Sequence, residues 1–377
     1  MLSGLLRELA FFGAFTIMCM NFRGRQENLF QALEQRKVEA LVVTHLPNVR
    51  YLCGFSGSAG VLLASRRPAF FTDGRYAEQA AAQVEGARIS IARKSTLVAV
   101  AATCVKRGLK RVAIESEHLT VAQLDAFEQA LGEGVKVIRL AGTVEKLRAE
   151  KGSGEIELIR NAVELSSRLF RPLLKTLRPG VAESTVAAKL GFAARKAGAD
   201  GMSFDTIVAS GERSALPHGV ASAAKLPSVG FVVLDYGVVL DGYCSDMTRT
   251  VHLGKASVEL RGVYAAVLNA QLAAISAVRP GVLAGEVDQA ARHELKRAKL
   301  DSFFTHSTGH GVGLEIHELP RLAARGEAIL QPGMVITIEP GVYLPGKFGI
   351  RIEDMLLVTE TGYELLTAVS KELIELN

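Results

Sequence analysis

FVVLDYGVVLDGYCSDMTRT, residues 231–250, reads as two apolar strands joined at Asp241-Gly242. Asp-Gly between apolar strand residues favours a two-residue type I′ turn. That turn pairs Leu240 with Tyr243, Gly237 with Asp246 and Asp235 with Thr248. Asp235 and Asp246 then become diagonal neighbours on one face, their β-carbons about 7 Å apart. A slip of one residue in either strand would send the two acids to opposite faces. A solvent-exposed acid beside a turn accounts for Asp241. It does not account for Asp235, which is set in an apolar strand where an unpaired carboxylate is costly. Cys244 shares a strand face with Asp246 and has to be weighed as a ligand, but the carboxylates already supply enough charge. It is read as a small buried neighbour.

Three further phrases carry residues of the same kind. THSTGHGVGLEIHE (305–318) offers His306, His310 and His317. Glycines at 309, 311 and 313 argue against a helix, and no HExxH is present, so a helical zincin is excluded. Glycine flanks would let the backbone approach a metal closely. Any one of these histidines could be an ordinary satisfied polar residue; three within so short a stretch favour a site. Glu339 ends the apolar run VITI (335–338) and precedes Pro340-Gly341. In GIRIEDM (349–355), Arg351 and Glu353 alternate, which on a strand puts both on one face. A surface ion pair is the blander reading of these two, weakened by Ile350, Ile352 and the apolar run after Asp354. Asp235, Asp246, His310, Glu339 and Glu353 make four carboxylates and one imidazole. That set suits two divalent cations such as Mn2+ and fits a lone structural zinc poorly. Two such ions can hold a hydroxide and polarise a carbonyl, the equipment of a hydrolase.

The chain has 377 residues, enough for two domains with separate cores. At 49% hydrophobic and 22% charged residues it shows no sign of long disorder. The net charge of +5 is small for the length, and no basic stripe is interleaved with aromatics, which argues against nucleic-acid binding. Cys19, Cys53, Cys104 and Cys244 are far apart and form no CxxC pair, the pattern of reduced thiols in a cytoplasm. The apolar segment from Leu9 to Met20 is too short to span a bilayer, which needs about 20 residues. It is also a poor signal peptide, because Arg7 is offset by Glu8 and no small-x-small cleavage site follows. Met20 is read as the true start and residues 1–19 as an upstream extension or a loosely attached tail, leaving residues 1–21 apart from the domains.

Past that segment Leu29, Ala32 and Leu33 mark one face of a short helix, and a strand follows over 40–44. Residues 48–65 read as a Gly- and Ser-rich loop running into a second strand. PAFFTDGRYAEQAAAQV (68–84) reads as strand, turn and helix, and the alternation continues through VAIESE and VKVIRL. The expectation is a small α/β domain, with a boundary near EKLRAEKGSG (145–154). Leu158, Ala162, Leu165 and Leu169 then open a second domain at helical spacing. In it the order helix, RPGV, helix occurs twice, at Arg178–Val181 and Arg279–Val282, each copy followed by strands bearing acids or histidines. This suggests two similar halves facing a cleft.

These phrases, in this order, resemble the pita-bread metallopeptidases. Asp235, Asp246, His310, Glu339 and Glu353 are similar to that family's five metal ligands. NVRYLCGFSG and FTDGRY resemble the creatinase-type front domain of its proline-specific members, the Xaa-Pro aminopeptidases and the Xaa-Pro dipeptidases, or prolidases. The resemblance covers about residues 22–377. Methionine aminopeptidases lack such a front domain, and creatinase lacks the metal ligands. The implied architecture is an α/β N-terminal domain (22–145) plus an α+β pita-bread C-terminal catalytic domain (150–377). The resemblance implies two divalent metal ions, Mn2+ foremost with Co2+ or Zn2+ as alternatives, and a bridging water that they acidify. It implies Glu339 as ligand and general base, and His218 (in LPHG) and His317 as hydrogen-bond donors to substrate and intermediate. His306 and Arg351 fit outer or substrate-contacting positions. The expected activity is a cytoplasmic Xaa-Pro aminopeptidase acting on peptides with proline second. Prolidase is the alternative, and an inactive binding module a distant third, since no ligand is lost. The expected assembly is a homodimer, with no membrane and no nucleic-acid partner.

Overall fold

The computed structural model describes residues 20–377. The expectations about residues 1–19, Cys19 included, lie outside the described residues. The chain divides between Arg148 and Ala149 into two compact units.

The first unit is built on a six-stranded sheet of order β4-β3-β2-β1-β5-β6. Its elements run α1 (Phe22–Gln35), β1 (Ala40–Val43), α2 (Leu46–Cys53), β2 (Val61–Ser65), β3 (Ala69–Thr72), α3 (Ala77–Gln83) and β4 (Arg88–Ile91). They continue as α4 (Thr96–Lys106), β5 (Arg111–Glu115), α5 (Val121–Leu131), β6 (Lys136–Leu140) and α6 (Thr143–Ala149), where the chain passes to the second unit. β1 and β2 pair antiparallel across a connection that contains α2, β2 and β3 form a hairpin, and β5 and β6 add in parallel through helical crossovers. Val42, Leu63, Phe71, Val100, Val112 and Phe127 close the core. One expectation fails: residues 48–53 are helical, not loop. Pro47 lies in the first turn of α2 and Gly54 ends it in the left-handed region (φ +82°). Proline at the start and glycine past the end are the normal limits of a helix, and here they outweigh the Gly/Ser run that follows.

The second unit starts with α7 (Ser153–Leu174) and α8 (Glu183–Lys196). β7 (Gly201–Met202), β8 (Ile207–Ser210), β9 (Gly230–Tyr236), β10 (Val238–Leu240), β11 (Tyr243–Cys244) and β12 (Met247–Leu253) follow. α9 (Val258–Ala277) and α10 (Ala284–Arg297) repeat the helical pair. The chain ends with β13 (Gly309–Gly311), β14 (Glu318–Leu322), β15 (Val335–Ile338), β16 (Gly341–Leu344), β17 (Phe348–Arg351), β18 (Asp354–Val358), β19 (Tyr363–Leu365) and β20 (Glu375–Leu376). One sheet is ordered β20-β12-β9-β8 and another β14-β13-β15-β18-β19. α7 and α8 pack one core with β9 and β12, and Leu158, Ala162, Leu165 and Leu169 are all buried. α9 and α10 pack the other with β15 and β18.

The two RPGV turns are equivalent in detail. The Gly180 N–H donates to Leu226 O (2.9 Å) and the Leu226 N–H returns to Val181 O (2.9 Å). The Gly281 N–H donates to Leu330 O (2.8 Å) and the Leu330 N–H returns to Val282 O (2.8 Å). Both glycines have positive φ, +81° and +83°. The repeat seen in sequence is therefore a repeat of backbone geometry.

Candidate metal centre

The hairpin after the first half adopts the register that its turn dictates. Leu240 pairs with Tyr243 and Asp235 with Thr248. Asp241 (φ +48°) and Gly242 (φ +77°) both take the left-handed values of a type I′ turn. The hairpin belongs to two sheets, however, with β9 and β12 in one and β10 and β11 in another. The change occurs at Gly237, where a Cβ would lie 1.7 Å from Ser245 O, so only glycine permits the two backbones to cross. Opposite it, the Asp246 N–H donates to Met355 Sδ (3.1 Å), carrying the ligand strand towards β18.

Asp246, His310 and Glu353 offer donor atoms that all lie within 4.8 Å of one another. His310 Nε2 is 3.6 Å from Asp246 Oδ2 and 3.3 Å from Glu339 Oε1. Glu339 follows β15 and is fixed by its N–H on Thr308 O (2.7 Å), while Thr337 Oγ1 donates to its carboxylate (3.3 Å). Asp235 is held by Arg351, whose Nη2 is 2.6 Å from Oδ2. Glu353 is not the strand residue that alternation suggested. β17 stops at Arg351 and β18 starts at Asp354, in different sheets, so Glu353 sits in the break between them. Thr248 rejoins the two functional groups: its hydroxyl donates to Glu353 Oε2 (2.7 Å) and accepts from Arg351 Nε (3.1 Å). Thr248 thus bridges Arg351 to Glu353 by hydrogen bonds, and the ion-pair partner of Arg351 is Asp235.

Burial, reinforced by Glu353, Asp235 and Glu339, raises the Asp246 carboxyl well above the usual range. Burial and the charges of Glu339 and Asp235 do the same to Glu353. Burial pushes Glu339 up to about 7. Asp235 Oδ1, Asp246 Oδ1 and Glu353 Oε1 are buried and accept no hydrogen bond. Buried like charges with orphaned oxygens are expensive unless a cation meets them. The donor set therefore fits divalent metal ions, with hard oxygen ligands and one imidazole. Burial lowers the His310 pKa, so its ring is neutral and able to ligate.

The remaining candidates surround this cluster unevenly. The His317 ring is exposed and stands edge-on to His310, centroids 4.4 Å apart. Its pKa is lowered by burial and by His310. His218 is exposed, close enough for its charge to act on His317, Glu339 and His306. His306 is tied up instead, its Nε2 bonded to the Tyr343 hydroxyl (2.9 Å) and its Nδ1 to Ser307 O (2.8 Å). Arg351 is 3% exposed and also bonds Tyr343 and Pro217 O. His306 and Arg351 are thus braces of the site. The glycines round His310 serve a purpose other than metal approach. A Cβ on Gly309 would lie 1.9 Å from Thr337 O, and one on Gly311 would lie 2.1 Å from Leu319 O. They let flanking strands press against β13. Cys244 is buried and outside the donor cluster. Thr248 and Tyr343 were missed from the sequence. Thr248 was legible, since it pairs with Asp235 in the register already deduced; Tyr343 gave no signal.

A family model described as metallopeptidase family M24 matches residues 157–360, and one described as the creatinase/prolidase N-terminal domain matches residues 25–149. A relative named Xaa-Pro dipeptidase, from Pyrococcus furiosus, is 43% identical over 236 residues, 63% of this chain and 68% of that one. A solved Xaa-Pro dipeptidase from Bacillus anthracis superposes with a TM-score of 0.92 at 41% identity, covering 94% of this chain and 100% of that one. A solved X-Pro aminopeptidase from Thermotoga maritima superposes with a TM-score of 0.86 at 35% identity, covering 93% and 99%.

Proposed function

Because the chain belongs to metallopeptidase family M24, we propose that it is a dinuclear Xaa-Pro dipeptidase. The hydrolase reading is carried by one observation, the buried carboxylates with orphaned oxygens gathered round His310. Asp235, Asp246, His310, Glu339 and Glu353 would hold two divalent ions, Mn2+ in first place. Bound there, the ions supply Lewis acidity and make a water acidic enough to ionise near neutral pH. Glu339, a buried carboxylate beside His310, would stand next to that water and is placed to take its proton. His317 and His218 stand at the exposed side of the cluster, where a donated hydrogen bond would meet the oxygen of a tetrahedral intermediate. Arg351 holds Asp235, and through Thr248 it holds Glu353.

The dipeptidase reading displaces the expected aminopeptidase because the names of similar proteins favour it. A dipeptidase must also capture the free carboxylate after the proline, which needs a cation. Arg321 is exposed, stands directly across the β13–β14 ladder from His310, and has no ion pair among the described residues. Aminopeptidase stays as the second reading on the strength of the Thermotoga maritima structure. Rates on Xaa-Pro and Xaa-Pro-Xaa at equal concentration decide between them. A dipeptidase cleaves the dipeptide and leaves the tripeptide largely intact, and Arg321→Ala raises its KM without lowering kcat to the same degree. Faster cleavage of the tripeptide assigns the chain to the aminopeptidases.

The cellular setting follows weaker signs. Cys53 and Cys104 are free and buried, which suits a reducing cytoplasm. Among the described residues no helix is long and apolar enough to cross a membrane.

A further inference from the structure

Lys151 and Glu318 form an ion pair that the hydrolytic chemistry leaves unused. Nζ and Oε2 are 3.1 Å apart, and the two side chains are only 1% and 5% exposed. A pair so far from water contributes little stability beyond what an apolar pair of the same shape would supply. Its placement offers another account. Lys151 is anchored independently of its partner, its Nζ donating to Ala149 O (3.3 Å) and its main-chain N–H to Gly333 O (2.9 Å). Glu318 opens β14, and its second oxygen accepts the Glu315 N–H (3.0 Å). The carboxylate also lies against Gly313, where a Cβ would come within 2.6 Å of it. The segment between β13 and β14 therefore closes round the Glu318 carboxylate, which Lys151 holds.

His317 immediately precedes Glu318. It ends the bend that leads into β14, so the turn that sends Glu318 to Lys151 also sets the place of the exposed His317 ring against His310. The same anchor reaches the hairpin that carries Asp246. Gly313 O accepts the Cys244 N–H (2.8 Å), and the Tyr243 hydroxyl donates to Glu155 in the first turn of α7 (3.0 Å). We infer that Lys151, acting through Glu318, is a positioning residue that aims the His317 imidazole at the reacting carbonyl. This rests on the role given to His317 in the proposed hydrolysis.

The test replaces the pair by apolar groups of similar shape, Lys151→Met with Glu318→Leu, in the metal-loaded full chain. Melting temperature and metal content should match the parent. With whichever of Xaa-Pro or Xaa-Pro-Xaa the enzyme cleaves, kcat should fall about tenfold while KM changes little, as expected when a supporting contact is lost. Added to His317→Ala, the replacement should cause no further loss, because the pair works only through that ring. Unchanged kcat, a loss that multiplies with that of His317→Ala, or loss of metal would each overturn the inference. Should the double replacement not fold, Glu318→Gln keeps the shape and answers by the same kcat and the same combination. Full activity in His317→Ala alone, with Lys151 untouched, overturns the role of His317 and the inference with it.

Discussion

Glu339 titrates near neutrality because burial, with Asp235 nearby, pushes its carboxyl up to about 7. Asp246 and Glu353 are raised by burial and by neighbouring carboxylates. A carboxyl whose folded pKa exceeds its unfolded value stabilises the metal-free protein in its protonated form, and that contribution is lost as pH rises through the folded pKa. His306, lowered to about 4, and His310 and His317, also lowered, act in the opposite sense. Their effect ends above the unfolded histidine value of about 6.5, so the acids can be read alone above it. From about pH 7 to about pH 8, as Glu339 gives up its proton, the metal-free protein should therefore melt at progressively lower temperature, and saturating Mn2+ should abolish or reverse the slope. A flat or rising profile without metal would show that these carboxyls are ordinary. Asp246→Ala should abolish activity and weaken metal binding while raising the melting temperature of the metal-free protein, since one repelling charge is gone. Retained activity would remove Asp246 from the site.

Among elements, the hairpin from β9 to β12 depends most on a single residue. A methyl group at Gly237 would collide with Ser245 O at 1.7 Å, and backbone cannot yield as a side-chain tip can. Gly237→Ala should destabilise the protein by about 3 kcal/mol or more, measured by urea unfolding, and lower metal occupancy because Asp235 and Asp246 flank the crossing. Wild-type stability in that variant would mean that the strands have room to part. The hairpin was legible in the sequence because Asp241-Gly242 selects one turn and the turn selects one register. The break at Glu353 was not legible, because β17 pairs with β16 and β18 with β15 in different sheets, and no residue of GIRIEDM marks where one pairing gives way to the other. The helix at Leu46–Cys53 was legible through Pro47 and Gly54 but was masked by the glycines and serines after it. The five candidate ligands lie close together, legible from their phrases alone, while the glycines beside His310 face strand backbone and not the cluster.

Across the whole catalytic unit, each half holds its strands with one buried acid. The Glu183 carboxylate accepts from the Ser210 N–H and hydroxyl (both 2.9 Å) and from the Ser222 hydroxyl (2.9 Å), and it pairs with Arg213 (3.1 Å). Asp288 accepts from the Thr308 hydroxyl (2.8 Å) and N–H (3.1 Å) and pairs with Arg292 (2.7 Å). Glu183→Ala and Asp288→Ala should each lower stability by about 3 kcal/mol, because the groups they satisfy are left buried and unpaired. Asp288→Ala should in addition weaken metal binding, since Thr308 O carries the Glu339 N–H. Equal metal affinity in the two variants would break that link.

The doubled architecture also governs what a metal ion does to the unfolded chain. The candidate ligands are divided between the halves, with Asp235 and Asp246 after the first RPGV turn and His310, Glu339 and Glu353 after the second. In a disordered chain, groups so far apart in sequence seldom meet round one ion, because long loops must close to bring them together. Denatured protein is thus a poor competitor for metal, and nearly all of the ion's binding free energy is added to the folded state. Ions held by these residues would act as a rivet through the two halves.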